Sequence, residues 1–117
     1  MTMRPGGISG RGGSIINLSS VMGLSGSIAL ASYNSSKGAV RLLTKSVAAE
    51  CAMLNTGVRC NSIHPGIIDS DMGTLFLKQL VDLGVVPDME TAEAGFLAGV
   101  PMGESGKPQD IAAGIIY

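Results

Sequence analysis

Tryptophan is absent from the 117 residues, and aromatic residues make up only 3% of them: Tyr33, Phe76, Phe96 and Tyr117. A core must therefore be built from Ile, Val, Leu, Met and Ala, and stacking platforms for single-stranded nucleic acid are excluded. Charge is scarce as well, 15% against 45% hydrophobic. That balance excludes a disordered tail and a densely charged polyanion binder. The single histidine, His64, and the two cysteines, Cys51 and Cys60, offer neither zinc-ligand spacing nor a C-x-x-C. We expect no metal site and a reduced, cytoplasmic protein. Residues 1–14 hold Pro5 and several glycines but no apolar stretch of signal-peptide length. No run approaches the roughly 18 apolar residues that would cross a bilayer.

Glycine is plentiful, 17 residues without a three-residue period, and implies tight turns and close backbone approaches rather than a collagen-like chain. The net charge of −1 hides an asymmetry: Arg4, Arg11, Lys37, Arg41 and Lys45 precede any acid, whereas acids dominate from Asp69 onward. Neither half is dense enough to act as a charged tail.

Ser14 to Ser20 is a short, largely apolar run bounded by glycine and serine, which reads as a buried strand of the parallel type. From about Ala31 to Leu54, the positions Val40, Leu43, Val47, Cys51 and Leu54 recur at helical spacing as one stripe of a long helix. Asn55-Thr56-Gly57 ends it, with glycine expected to supply the left-handed cap. Val58 to Ile63 is a second buried strand, stopped by Pro65-Gly66. Strand, helix and strand in this order form a βαβ unit with parallel strands. Further on, Met72 to Leu83 is a helix with Leu75, Phe76, Leu80 and Leu83 on one face. An irregular stretch through Gly99, Pro101, Gly103 and Gly106 then leads to a last helix from Gln109 to Tyr117. Two strands cannot make a free-standing doubly wound sheet, so the chain is expected to pair with another chain or to be a piece of a longer protein.

Chemistry in parallel sheets sits beyond the carboxyl ends of the strands, here Ser19-Ser20 and His64-Pro65-Gly66. Tyr33 and Lys37 are four apart and share one helix face. A lysine ammonium beside a phenol favours the phenolate and suits it to acid/base work near neutrality. Taken alone, the same pair also describes a solvated helix face. Ser20 stands thirteen residues before Tyr33, at the end of the first strand. A carbonyl that is to be reduced needs one group to polarise it and another to protonate it, and a hydroxyl beside a phenol supplies both. The alternative reading is a pair of serines satisfying backbone groups. After the second strand, Gly66 permits close approach of a flat ligand, and Ile68 and Ser70 can offer a main-chain amide and a hydroxyl to a carboxamide.

The segment GGSIINLSSVMGLSGSIALASYNSSKGAVRLLTKSVAAE, followed by GVRCNSIHPGIIDSDM and PMGESGKPQDIA, resembles the catalytic half of a short-chain dehydrogenase/reductase. Ser20, the Y-x-x-x-K of Tyr33 and Lys37, the Pro-Gly turn and the P-M-G-x-x-G-x-P segment stand in that family's order and spacing. The resemblance implies an α/β fold, a partial doubly wound, Rossmann-like parallel sheet containing the βαβ unit, with residues 1–117 as the C-terminal catalytic portion of a single Rossmann-like domain. It also implies an oxidoreductase that moves a hydride between NAD or NADP and a secondary alcohol/ketone pair. In that reading Tyr33 is the acid/base and Ser20 holds the substrate oxygen. Tyr33 and Lys37 also bind the cofactor, Lys37 at the nicotinamide ribose, and Pro65, Gly66, Ile68 and Ser70 meet its nicotinamide end. The general look of the segment resembles, faintly, members acting on hydroxysteroids and small cyclic alcohols. Leu75 to Leu83 corresponds to the family's lid over the substrate, and the long helix to one that commonly pairs across a dimer, so a homo-oligomer is expected, with no nucleic-acid or membrane partner.

The chain departs from the family pattern in five places. It lacks the Gly-rich T-G-x-x-x-G-x-G turn that would cradle the pyrophosphate, the Asn-Asn-Ala-Gly segment, the helix bearing a further catalytic Asn, and a closing strand. Glu104 stands where many members carry a basic side chain. Met1-Thr2-Met3 then reads as an internal start within a longer frame. The alternative to an enzyme is a non-catalytic fragment that self-associates or only binds a nucleotide or small molecule. His64 is expected to be structural or at the rim, and Asn17 to serve packing only. Gly23-Leu24-Ser25-Gly26 is one residue short of a G-x-S-x-G nucleophile elbow, which disfavours a hydrolase.

Overall fold

The computed structural model describes residues 12–117. They fall into two compact units, one ending at His64 and the other running from Pro65 to Tyr117.

In the first unit, strand β1 (Gly13–Leu18) leads through a single 3-10 turn (Val21–Gly23) to helix α1 (Ala31–Met53) and then strand β2 (Val58–Ile63). The strands are parallel and in register from Gly13 opposite Val58 to Leu18 opposite Ile63, which is the βαβ unit that the apolar pattern implies. The regular strand stops at Leu18, short of Ser20, yet the Ser19 amide still donates to the Ile63 carbonyl at 2.9 Å. Ser19 and Ser20 thus stand just past the sheet's carboxyl edge and are both buried.

Helix α1 ends differently from expectation. Asn55, not Gly57, takes the left-handed position after the last turn, at φ 48°, while Gly57 makes a second positive-φ step (70°) into β2. The amides of Asn55 and Thr56 donate to the carbonyls of Ala52 and Cys51, at 3.1 and 3.0 Å. This pair of reverse bonds is a Schellman motif, and Asn tolerates the required φ better than other non-glycine residues.

The stripe expected to be core is only partly so. Leu43 and Leu54 are 58% and 67% exposed, and the buried residue of α1 is Thr44. A polar contact lies beneath the helix. Asn17 on β1 donates to Thr44 Oγ1 at 2.9 Å, and Thr44 Oγ1 in turn donates to the Val40 carbonyl. Asn17 Nδ2 also lies 3.7 Å from the sulfur of buried Cys60. An amide inside a strand must find partners, so the packing role of Asn17 is carried by hydrogen bonds. Burial, and next the nearby Cys51, push the Cys60 thiol up. Both cysteines are free.

In the second unit, Ile68 forms an isolated parallel bridge with Gly106. Helices α2 (Asp71–Asp82), α3 (Met89–Leu97) and α4 (Pro108–Ile116) follow from Ser70, Asp88 and Lys107 as their caps. Phe76 of α2 and Phe96 of α3 meet edge to face with ring centroids 5.0 Å apart, and Leu80 and Ala92 of the same helices are buried. Of the expected apolar face of α2, Leu75 and Leu83 remain exposed. Helix α3 lies in a stretch that the apolar spacing does not mark, because Gly95 and scattered alanines blur its period; its one local signal is Asp88.

The Asp88 carboxylate accepts the Thr91 amide at 2.7 Å. That backbone bond, helped by the Thr91 side chain, holds the Asp88 carboxyl below its ordinary range. Because the folded value is depressed, the cap's contribution is present above the unfolded carboxyl pKa and disappears as pH falls through the folded one. We expect α3 to fray on acidification before α2 does. Amide exchange at Thr91 and Ala92, followed through that range in wild type and Asp88→Asn, checks it: the variant should show no such acid step.

Candidate active site

Leu18, Ser19 and Ser20 leave the end of β1, and each is tied into the first unit. Lys37, in the second turn of α1, donates from Nζ to the Leu18 carbonyl at 3.0 Å. Ser19 answers in the opposite direction, its hydroxyl donating to the Lys37 carbonyl at 2.8 Å. The end of β1 and the start of α1 are thereby joined by two bonds, one to the head and one to the backbone of the same lysine. The lysine ammonium also lies 5.6 Å from the centroid of the Tyr33 ring, so the i, i+4 pair meets as the helix spacing requires. Ser20 caps the 3-10 turn, its Oγ accepting from the Met22 amide at 3.1 Å.

Between Tyr33 and Lys37, the three residues of YNSSK have local roles. Leu30 offers no side-chain cap to α1; Asn34 Nδ2 donates to the Ser27 carbonyl at 3.1 Å and ties the preceding loop to the first turn. Ser35 and Ser36 return their hydroxyls to the carbonyls of Ala31 and Tyr33. Gly23 is where the 3-10 turn presses on α1: a Cβ there would stand 2.7 Å from Ser19 Oγ and 2.8 Å from the backbone carbonyl of Lys37. The doubled serine after an apolar strand is the sequence signal for Ser19, and no local spacing marks Gly23.

The second unit holds Pro65, Gly66, Ile68 and Ser70. The Asp69 amide donates to the Gly106 carbonyl at 2.8 Å and the Gly106 amide to the Ile67 carbonyl at 2.9 Å. In a parallel bridge these bonds come from the residues flanking Ile68, so the peptide groups of Ile68 itself face away from Gly106. Ser70 caps α2, accepting from the Gly73 amide and donating to the Ile68 carbonyl, both at 3.3 Å. A hydroxyl oxygen has two acceptor lone pairs, and the cap uses one. A Cβ at Gly66 would meet nothing within 4 Å, so packing within the chain does not demand glycine there. Among the described residues no group of three or more His, Cys, Asp or Glu is placed to hold a metal ion, and no helix is long and apolar enough to cross a membrane.

A family model for short chain dehydrogenases matches residues 2–80. The chain belongs to that family. Over 110 residues it is 41% identical to an NADP-dependent (R)-specific alcohol dehydrogenase of Lentilactobacillus kefiri, covering 92% of this chain and 38% of that protein. Among solved structures it is similar to a variant of the actinorhodin polyketide ketoreductase with NADPH, with a TM-score of 0.80 and 30% identity over 94% of this chain and 41% of the other. An NAD+-bound xylitol dehydrogenase matches with the same TM-score at 26% identity, over 94% of this chain and 43% of that one. The chain therefore spans about two fifths of the length of these three relatives. The α/β fold with its parallel strand pair, expected from the sequence, is that of these neighbours.

Proposed function

We propose that this chain is the C-terminal catalytic portion of a single Rossmann-like domain in an NAD(P)-dependent oxidoreductase that interconverts a secondary alcohol and a ketone. The observation that carries the reading is the lysine bridge: one ammonium bonds the end of β1 at Leu18 and lies by the ring of Tyr33, with Ser20 two residues further on. In the reducing direction Tyr33 gives its phenolic proton to the carbonyl oxygen, and the Ser20 hydroxyl holds that oxygen as negative charge develops on it. Lys37 would hold a ribose hydroxyl of the cofactor and, beside the ring, stabilise the phenolate that remains. Pro65, Gly66, the Ile68 backbone and the Ser70 hydroxyl, which keeps one acceptor lone pair, would hold the nicotinamide end of the cofactor. The bound dinucleotide supplies the hydride. The names of the relatives, an NADP-dependent alcohol dehydrogenase among them, support both cofactor and substrate class.

Self-association through α1 belongs to the same proposal. Leu42, Leu43, Met53 and Leu54 of the helix and its cap are 58–78% exposed, apolar surface of the kind a second copy covers. Sedimentation across protein concentrations, with Leu43→Glu as the disrupting variant, tests it. The free thiols Cys51 and Cys60 favour a reducing, cytoplasmic setting.

The functional test is oxidation of NADH and NADPH by the natural protein in the presence of cyclic and linear ketones. Turnover of a ketone supports the proposal. Saturable cofactor binding without turnover supports the binding-only alternative, and neither signal supports a non-catalytic, self-associating fragment.

A further inference from the structure

His64 lies one residue past β2, and its ring bridges two groups of the first unit. Nδ1 stands 3.1 Å from the Ser20 carbonyl oxygen and Nε2 stands 2.9 Å from the Ser62 hydroxyl. A carbonyl can only accept, so Nδ1 carries the proton and donates to Ser20; in the neutral ring Nε2 is then the acceptor, and Ser62 donates to it. The Ser20 carbonyl also receives the Gly23 amide at 2.9 Å, while Ser20 Oγ receives the Met22 amide at 3.1 Å. Gly23 and Met22 belong to the turn that follows Ser20 and travel with it. His64 comes from the neighbouring strand, 44 residues away in sequence, and so fixes the Ser20 peptide against the sheet.

We propose that His64 is a positioning residue for Ser20: its Nδ1–H, oriented by Ser62, locks the serine peptide at the carboxyl edge of the two strands and thereby aims the hydroxyl at the substrate oxygen. This rests on the catalytic reading of Ser20 above. The effect of His64 appears in kcat, because a misplacement of about 1 Å at a reacting group costs up to roughly a hundredfold in rate.

The test compares three variants of the natural protein. Asn places an amide N–H close to the position of Nδ1, whereas Gln places it near Nε2, where it reaches Ser62 and not Ser20. His64→Leu and His64→Gln are expected to lower kcat about tenfold to a hundredfold, with the cofactor Kd nearly unchanged, and His64→Asn to recover most of the loss. A role in packing volume alone would rank Gln above Asn, and that order, or full kcat in His64→Leu, overturns the inference. Should a variant fail to fold, long-range proton–nitrogen NMR of the wild-type ring decides: a protonated Nδ1 with a bare Nε2 supports the assignment, and the opposite tautomer refutes it. Tyr33→Phe, measured alongside, separates the two levels. If it too keeps full turnover, the catalytic reading fails; if it loses turnover while His64→Leu does not, only the positioning role fails.

Discussion

Tyr33→Phe in the natural protein is expected to lower turnover by about 10²- to 10⁴-fold, the usual weight of a positioned general acid/base, while dinucleotide affinity stays nearly the same. Phenylalanine keeps the ring near which the Lys37 ammonium sits at 5.6 Å, and Lys37 keeps its bond to the Leu18 carbonyl. Only the hydroxyl is lost, so binding and proton transfer are separated by a single atom. Steady-state rates with a ketone, paired with a fluorescence titration of NADPH, read the two effects independently. Parallel loss of both would mean that Tyr33 builds the cofactor site and does not act on substrate.

Gly23→Ala should cost about 1–3 kcal/mol of stability, the range for forcing a methyl group into packed surroundings. The new Cβ would fall 2.8 Å from the Lys37 backbone and 2.7 Å from the Ser19 hydroxyl, on the spot where Ser19 bonds the Lys37 carbonyl. Backbone cannot swing aside as a side-chain tip can, so the 3-10 turn must lift off α1 and take Ser20 with it. A matched control exists in the same loop. A Cβ at Gly26 meets nothing within 4 Å, and Gly26→Ala should be close to neutral. Urea denaturation of both variants measures the difference as a shift in midpoint at constant slope. Equal midpoints would contradict the close contact between turn and helix.

The parts of this fold that can be read from the sequence are those fixed by local pattern. Val58–Ile63 is bounded by turn residues on both sides and forms over the expected span, and α1 ends one residue from its expected limit. Periodicity identifies an apolar stripe but not what lies beneath it: here Thr44 is buried against a strand asparagine while Leu43 is exposed. Ala29 takes a left-handed φ of 60° just before α1, a turn that no glycine announces. In the candidate site, Tyr33 and Lys37 meet because four residues of helix bring them together. The bonds from Ser19 to Lys37 and from His64 to Ser20 join residues 18 and 44 positions apart, and no local spacing encodes them. Helix α3 shows a related limit: its cap, Asp88, is legible, but too few apolar residues follow for the period to show.

The central claim is that Ser20 and Tyr33 act on one substrate oxygen. A double-mutant cycle on ketone reduction by the natural protein tests it most directly, using Ser20→Ala, Tyr33→Phe and the pair, compared through kcat/KM. Groups that serve the same oxygen as a unit lose their effect together, so the double variant should be scarcely slower than the slower single one. Losses that multiply in full, as for two independent sites, would contradict the account.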